Sequence, residues 1–218
     1  MTAVMPSLHK CFISGLLLLS AGGCAREGAT VRAASAVGET GNWRTVATDA
    51  DERRLYRWRE AFVAALAEAR QSGHAREVAR EGVLLTPDAA LPNGDLPEGA
   101  YRCRTIKLGS QSGSGGLAYT AYQPFECQVT REGRLKAFFK LTGSQRPQGL
   151  IFPGDARREI FIGTMVLGDE REAIEYGRDA DRDMAGAVER IGERRWRLLL
   201  PYPRFESVLD VIELVPAS

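Results

Sequence analysis

The polar string in this chain best suited to ligand chemistry is Thr142, Gly143, Ser144, Gln145, Arg146 and Pro147. Glycine and proline fix a tight loop at a strand end. That loop presents Gln145 and Arg146, whose planar guanidinium suits two parallel hydrogen bonds to a carboxylate or phosphate. Arg102 and Arg104 share one face of an earlier strand. If that face lines a barrel mouth, they complete an anion pocket with Arg146; if it faces solvent, they are ordinary charges. The competing reading of Arg146 is a structural corner in which it pairs with a local acid.

Other chemistries fall by elimination. His74 is the only histidine beyond the N-terminal leader and lies near a helix end, which disfavours a Ser-His-Asp hydrolase, a Cys-His protease and a multi-histidine zinc site. Asp179, Asp181 and Asp183 alternate like the carboxylates of a calcium loop, but Met184 stands where such a loop needs glycine and Arg190 where it needs glutamate. Gly109 to Gly116 has the glycines of a phosphate loop without its lysine. Glu170 and Glu172 are available as an acid and a base, although isolated surface glutamates are common. Lys and Arg number 29 against 28 acids, so there is no basic excess of the kind that marks nucleic-acid binding. Two function classes remain. One is a non-enzymatic binding module for a protein partner or a small anionic ligand, with no cofactor and no metal. The other is a carboxylate-dependent envelope hydrolase acting on glycans.

The N-terminus reads as a targeting signal. Lys10 precedes the apolar run Phe12 to Ser20, and small residues lead to Cys24. The run is shorter than the roughly 20 residues of a membrane-spanning helix. LSAGGCA resembles the lipobox of bacterial lipoproteins, departing from it at Ala21, so ordinary signal cleavage stays open. On the lipoprotein pattern Cys24 carries the lipid, and Ala25 after it implies the outer membrane. The expected compartment is therefore the periplasm, with residues 1–23 a signal peptide and 24–42 a small, polar tether. Cys103 and Cys127 are then expected to form one disulfide across a hairpin whose loop is the Gly/Ser stretch.

Residues 43–97 form a helical segment. From Asp49, Leu55, Trp58, Phe62 and Leu66 recur at three- and four-residue steps, with Asp49 and Glu52 as a capping-box-like start and Gly73 as a stop. From residue 98 to 218 the period changes to two. Strands are expected at 101–108, 125–130, 135–141, 148–152, 158–167, 185–191, 195–200 and 207–215, with a weaker candidate at 173–176. In the second hairpin, a three-residue loop of Arg131, Glu132 and Gly133 sets Val129 opposite Leu135 and Cys127 opposite Ala137. In the first strand Tyr101 and Cys103 share one face while Ile106 and Leu108 share the other, which implies a bulge or a helix covering the outer side. The fold class is mainly β: a single antiparallel barrel or curled sandwich, with the amphipathic helix packed on it.

The strings YRCRTIKLG (101–109), FKLTGSQRPQG (139–149), IFIGTMVLG (160–168), YGRDADRDMAGAVERIG (176–192) and WRLLLPYPRFESVLDVIELVPA (196–217) resemble a family of exported proteobacterial proteins whose domain has no assigned function. The resemblance runs from about Trp43 to the end and implies export and soluble character, with no catalytic residues to carry over. The strand count is also similar to lipocalin-type barrels, a likeness of fold alone.

Overall fold

The structure, a computed structural model, describes residues 41–111 and 117–218. The expected signal peptide and tether, Cys24 and residues 112–116 of the Gly/Ser stretch lie outside the described residues. Nine strands follow three short helices: β1 (Gly99–Leu108), β2 (Tyr119–Ala121), β3 (Phe125–Glu132), β4 (Leu135–Lys140), β5 (Gln145–Phe152), β6 (Arg158–Leu167), β7 (Asp183–Gly192), β8 (Arg195–Pro201) and β9 (Leu209–Pro216). All neighbours are antiparallel. One edge of β1 pairs with β9 from Tyr101↔Pro216 to Leu108↔Leu209. Its other edge pairs with β3 and, further along, with β2. β2 and β3 thus act as one interrupted strand, and the sheet closes as an eight-stranded meander barrel. Closure pairs both edges of every strand but the three-residue β2, which pairs with β1 alone.

Alternation along the strands sends one set of side chains inward. Tyr101, Cys103, Val129, Phe138, Phe161, Met165, Trp196, Leu198 and Ile212 belong to one continuous inner core. The outward set is also covered. α1 (Asp49–Tyr56) and the turn before it lay Leu55 and Trp43 over Leu135, Ala137, Leu150, Phe152 and Ile162. α2 (Trp58–Ala69) and α3 (Ala75–Arg80) place Phe62, Leu66 and Val78 over Ile106, Leu108, Leu199 and Val211. The N-terminal segment is therefore a strap around the barrel. It explains the split first strand without a bulge, because Ile106 and Leu108 face outward beneath α2.

Four local expectations are corrected. The β3–β4 turn has two residues, Gly133 and Arg134, so that Val129 pairs with Phe138 and Cys127 with Lys140. Gly133 does take the left-handed conformation, with φ 58°. The strap covers Leu135 and Ala137 from outside, and so Phe138 fills the interior. Cys103 and Cys127 do form the disulfide, but as diagonal neighbours 5.9 Å apart at Cα, since Tyr101 stands opposite Cys127. The expected single helix starts at Thr48, whose hydroxyl accepts the Asp51 amide, and is interrupted at Arg57. Residues 173–176 form no strand. Instead the Tyr176 hydroxyl donates to Asp51 and accepts from the Thr48 amide, anchoring the start of α1.

One end of the barrel is stoppered. Leu96 is completely buried in the inner core; its amide donates to Glu159, and its carbonyl accepts from Lys136. Trp196 reaches the Asp95 carbonyl beside it. On the outer wall, Arg197 has no exposed surface and grips Glu189 at 2.8 and 2.6 Å. Its remaining nitrogen donates to the carbonyls of Leu84 and Thr86, both at 2.8 Å, where the strap ends. Removing Arg197 leaves Glu189 to Arg158, 2.5 Å from its other oxygen, and takes a buried donor from the strap carbonyls. Arg197→Met is therefore expected to lower stability by roughly 3 kcal/mol in urea denaturation, with part recovered on adding Glu189→Met. A loss under about 0.5 kcal/mol would mean that the strap does not depend on this pair.

Candidate functional site

At the end opposite Leu96 the barrel opens into a cavity of about 150 Å³. Most strands contribute through their inward positions: Thr105 and Lys107 from β1, Phe125 from β3, Lys140 from β4, Gln145 and Pro147 from β5. Met165, Leu200 and Ile212 supply the apolar floor, and Asp210 and Glu206 the acidic rim. The β8–β9 loop crosses this mouth with Tyr202 and Glu206 both at positive φ, 47° and 68°. Such conformations cost of order 1 kcal/mol each and gather at ligand clamps and active sites.

Lysine use singles this site out. The chain contains only four lysines against 25 arginines, and Lys10 lies outside the described residues. The other three, Lys107, Lys136 and Lys140, are all buried and all point into the barrel. Two of them face carboxylates. Lys136 pairs with Asp95 at 2.5 Å and Glu159 at 2.7 Å at the stoppered end. Lys107 lies 3.2 Å from Asp210 and 3.3 Å from Glu206 at the mouth. Asp210 also accepts from the Ser207 hydroxyl.

Lys140 differs. Among the described residues no carboxylate pairs with it. Its Nζ donates to the carbonyls of Thr142 at 2.7 Å and Gln145 at 2.9 Å, and sits 3.5 Å above the Phe125 ring. Gly143 makes this wrap possible: at φ 92°, a Cβ there would fall 2.7 Å from Lys140 Nζ and 2.8 Å from Phe125. Burial, with positive charge from Arg146 and Lys107, pulls the Lys140 ammonium down to about 8. Lys107 is buried too, but Asp210 and Glu206 outweigh the burial and hold it above the usual lysine range. Burial pushes the Asp210 carboxyl up, against the pull of Lys107 and Ser207.

The candidate residues from sequence are dispersed. Gln145 lines the cavity, and its carbonyl holds Lys140. Arg146 turns away, donating to the carbonyls of Gly143, Gly168 and Glu170, and thereby ties the β4–β5 turn to the β6–β7 loop. Arg102 and Arg104 lie on the outer face of β1, where Arg102 is exposed and Arg104 bridges Glu81 and Glu213. The structure does not bring these two to Arg146 or to the mouth. His74 stacks on Tyr119 outside the barrel, and Glu170 pairs with Arg182. Lys107, Lys140 and Asp210 were missed. The signal that marks them is the scarcity of lysine in an arginine-rich chain, with all three body lysines inside strands.

The family described as a domain of unknown function, DUF4893, matches residues 43–214. The chain belongs to that family. The DUF4893 match begins at Trp43, where the strap starts, and ends within β9, so it takes in strap and barrel together. No curated protein and no solved structure matches the chain.

The Lys140 shift has a defined consequence for stability. A lysine whose folded value lies below its ordinary 10.5 costs stability in full below about pH 8, and the cost vanishes as pH rises through 10.5. Lys140→Met is thus expected to be the more stable protein at neutral pH, on the order of 2 kcal/mol after allowing for solvent at the mouth. The difference should shrink between pH 8 and pH 10.5 in parallel urea titrations. A difference independent of pH would refute the assignment.

Proposed function

We propose that this protein is an exported, envelope-facing binding module whose barrel mouth takes a small amphiphilic anion, a monocarboxylate with a compact apolar body. The observation that carries this reading is Lys140: a buried cation that has no carboxylate partner among the described residues and that shares the cavity with the apolar side chains of Phe125, Met165, Leu200 and Ile212. A carboxylate against Nζ supplies the missing countercharge, and charge-assisted hydrogen bonds of this kind are the strong ones. Phe125, Met165, Leu200 and Ile212 receive the apolar part. A cavity near 150 Å³ suits about one ring or a short alkyl chain. The concave, largely pre-formed shape favours a small ligand over a protein partner. Export is supported by the leader-like N-terminus and by the disulfide, which persists in oxidising compartments. Anchoring to the outer membrane through Cys24 is part of the same proposal.

The glycan-hydrolase alternative would have to use Asp210 and Glu206, the carboxylates of the mouth. Both are engaged by Lys107, and Asp210 accepts from Ser207 as well. Both line the cavity as ion-pair partners of Lys107, which favours a structural role for them over that of an acid and base pair.

Calorimetric titration with benzoate and hexanoate, set against benzamide, tests the binding reading. The carboxylates are expected to bind at least about tenfold more tightly than the amide, the worth of one charged hydrogen bond. Affinity should fall above about pH 8 as Lys140 loses its proton. Lys140→Met should erase the preference while the protein stays folded. Equal binding of benzoate and benzamide by the unaltered protein would contradict the proposal.

A further inference from the structure

The same mouth has the parts for a covalent step. We propose that the Lys140 amine condenses reversibly with a small aromatic or short-chain aldehyde seated in the barrel mouth, holding it as an imine. This rests on the cavity being a ligand site, and it adds a chemistry that anion binding does not need.

Position and surroundings both point to it. Of the two amines lining the cavity, Lys140 has no carboxylate partner among the described residues, whereas Lys107 faces Asp210 and Glu206. An uncharged amine has two N–H bonds and one lone pair. The carbonyls of Thr142 and Gln145 supply acceptors for both hydrogens, and the lone pair takes the remaining position beside the Phe125 ring, which lines the cavity together with Lys140. Desolvated lysines with lowered pKa are the ones that serve as Schiff-base nucleophiles. An arginine at this position would stay charged at any working pH.

The step balances without a redox partner. The Nζ lone pair forms a bond to the carbonyl carbon as the C=O π pair moves to oxygen. A proton passes from nitrogen to that oxygen through water at the mouth, giving a carbinolamine. The nitrogen lone pair then closes C=N as the hydroxyl takes a proton from water at the mouth and leaves as water, and the iminium returns that proton by losing its remaining N–H hydrogen. Aldehyde and amine become imine and water, and nothing is oxidised or reduced. Apolar walls at Phe125, Met165 and Leu200 favour the uncharged amine on which the attack depends.

The test uses the purified protein, benzaldehyde and sodium cyanoborohydride, which reduces the imine to a stable secondary amine, followed by peptide mapping. Lys107 and Lys136 in the same molecule are the controls. At pH 8 the uncharged fraction of Lys140 exceeds that of an ordinary lysine about a hundredfold, and labelling should favour it by a similar factor. The rate should rise with pH to a midpoint near 8. Benzoate should protect the site. Equal labelling of the three lysines, or no adduct at Lys140, would overturn the proposal. Benzoate calorimetry on the same sample separates the two readings: benzoate binding without an adduct removes the covalent step alone, whereas an adduct with no preference for benzoate over benzamide removes the anion reading and keeps the imine.

Discussion

The ladder between β1 and β9 is the constraint on which the other features depend. It joins the first and last strands over eight residue pairs, from Tyr101↔Pro216 to Leu108↔Leu209, and turns an open meander into a barrel. A closed barrel has an inside from which charge is excluded unless it is matched. The strap then covers much of the outside, so many strand positions are buried whichever way they point. Each trapped charge has to be answered locally. Arg197 finds Glu189 and two strap carbonyls; Lys136 finds Asp95, Glu159 and the Leu96 carbonyl; Lys107 finds Asp210 and Glu206. These are the solutions expected where desolvation is costly.

Lys140 is answered only by carbonyl dipoles and an aromatic face. Dipoles satisfy its hydrogens without cancelling its charge, and so burial pulls its ammonium down where that of Lys107 is held up. The backbone is shaped around it, since Gly143 leaves no room for a side chain between Nζ and Phe125. A fold concerned with stability alone has a simpler choice, an apolar residue at position 140. The difference in electrostatic environment between Lys107 and Lys140, across one small cavity, is what makes the mouth a site.

Much of this architecture is legible in the sequence. Two-residue alternation in 125–130 and 135–141, turn residues between the later apolar runs, and the Leu55, Phe62 and Leu66 stripe are local patterns that survive folding. The string around Gly143 also marks the right loop. It points to the wrong side chain, because Arg146 is spent on three backbone carbonyls while the backbone of the loop holds Lys140. Alternation assigns residues to two faces but cannot say which face is the interior when both are apolar. Leu135 and Ala137 look like core, and they are, but of the outer layer beneath the strap. Phe138 with Lys136 and Lys140 is therefore the inward set, and the lysines read from sequence as solvent-facing. The same ambiguity covers Arg102 and Arg104, whose shared face is evident but whose exterior position follows from Cys103 and Tyr101 pointing inward.

The most direct measurement is side-chain NMR of the lysines as a function of pH, with and without benzoate. With three lysines in the body, their εCH2 signals can be assigned from single substitutions. The account requires Lys140 to titrate near pH 8 and Lys107 above the ordinary lysine value. Benzoate should raise the Lys140 midpoint, because a bound carboxylate stabilises the ammonium. A Lys140 that titrates at the ordinary 10.5 and does not respond to benzoate would contradict the claim that the barrel mouth is built around an unmatched amine.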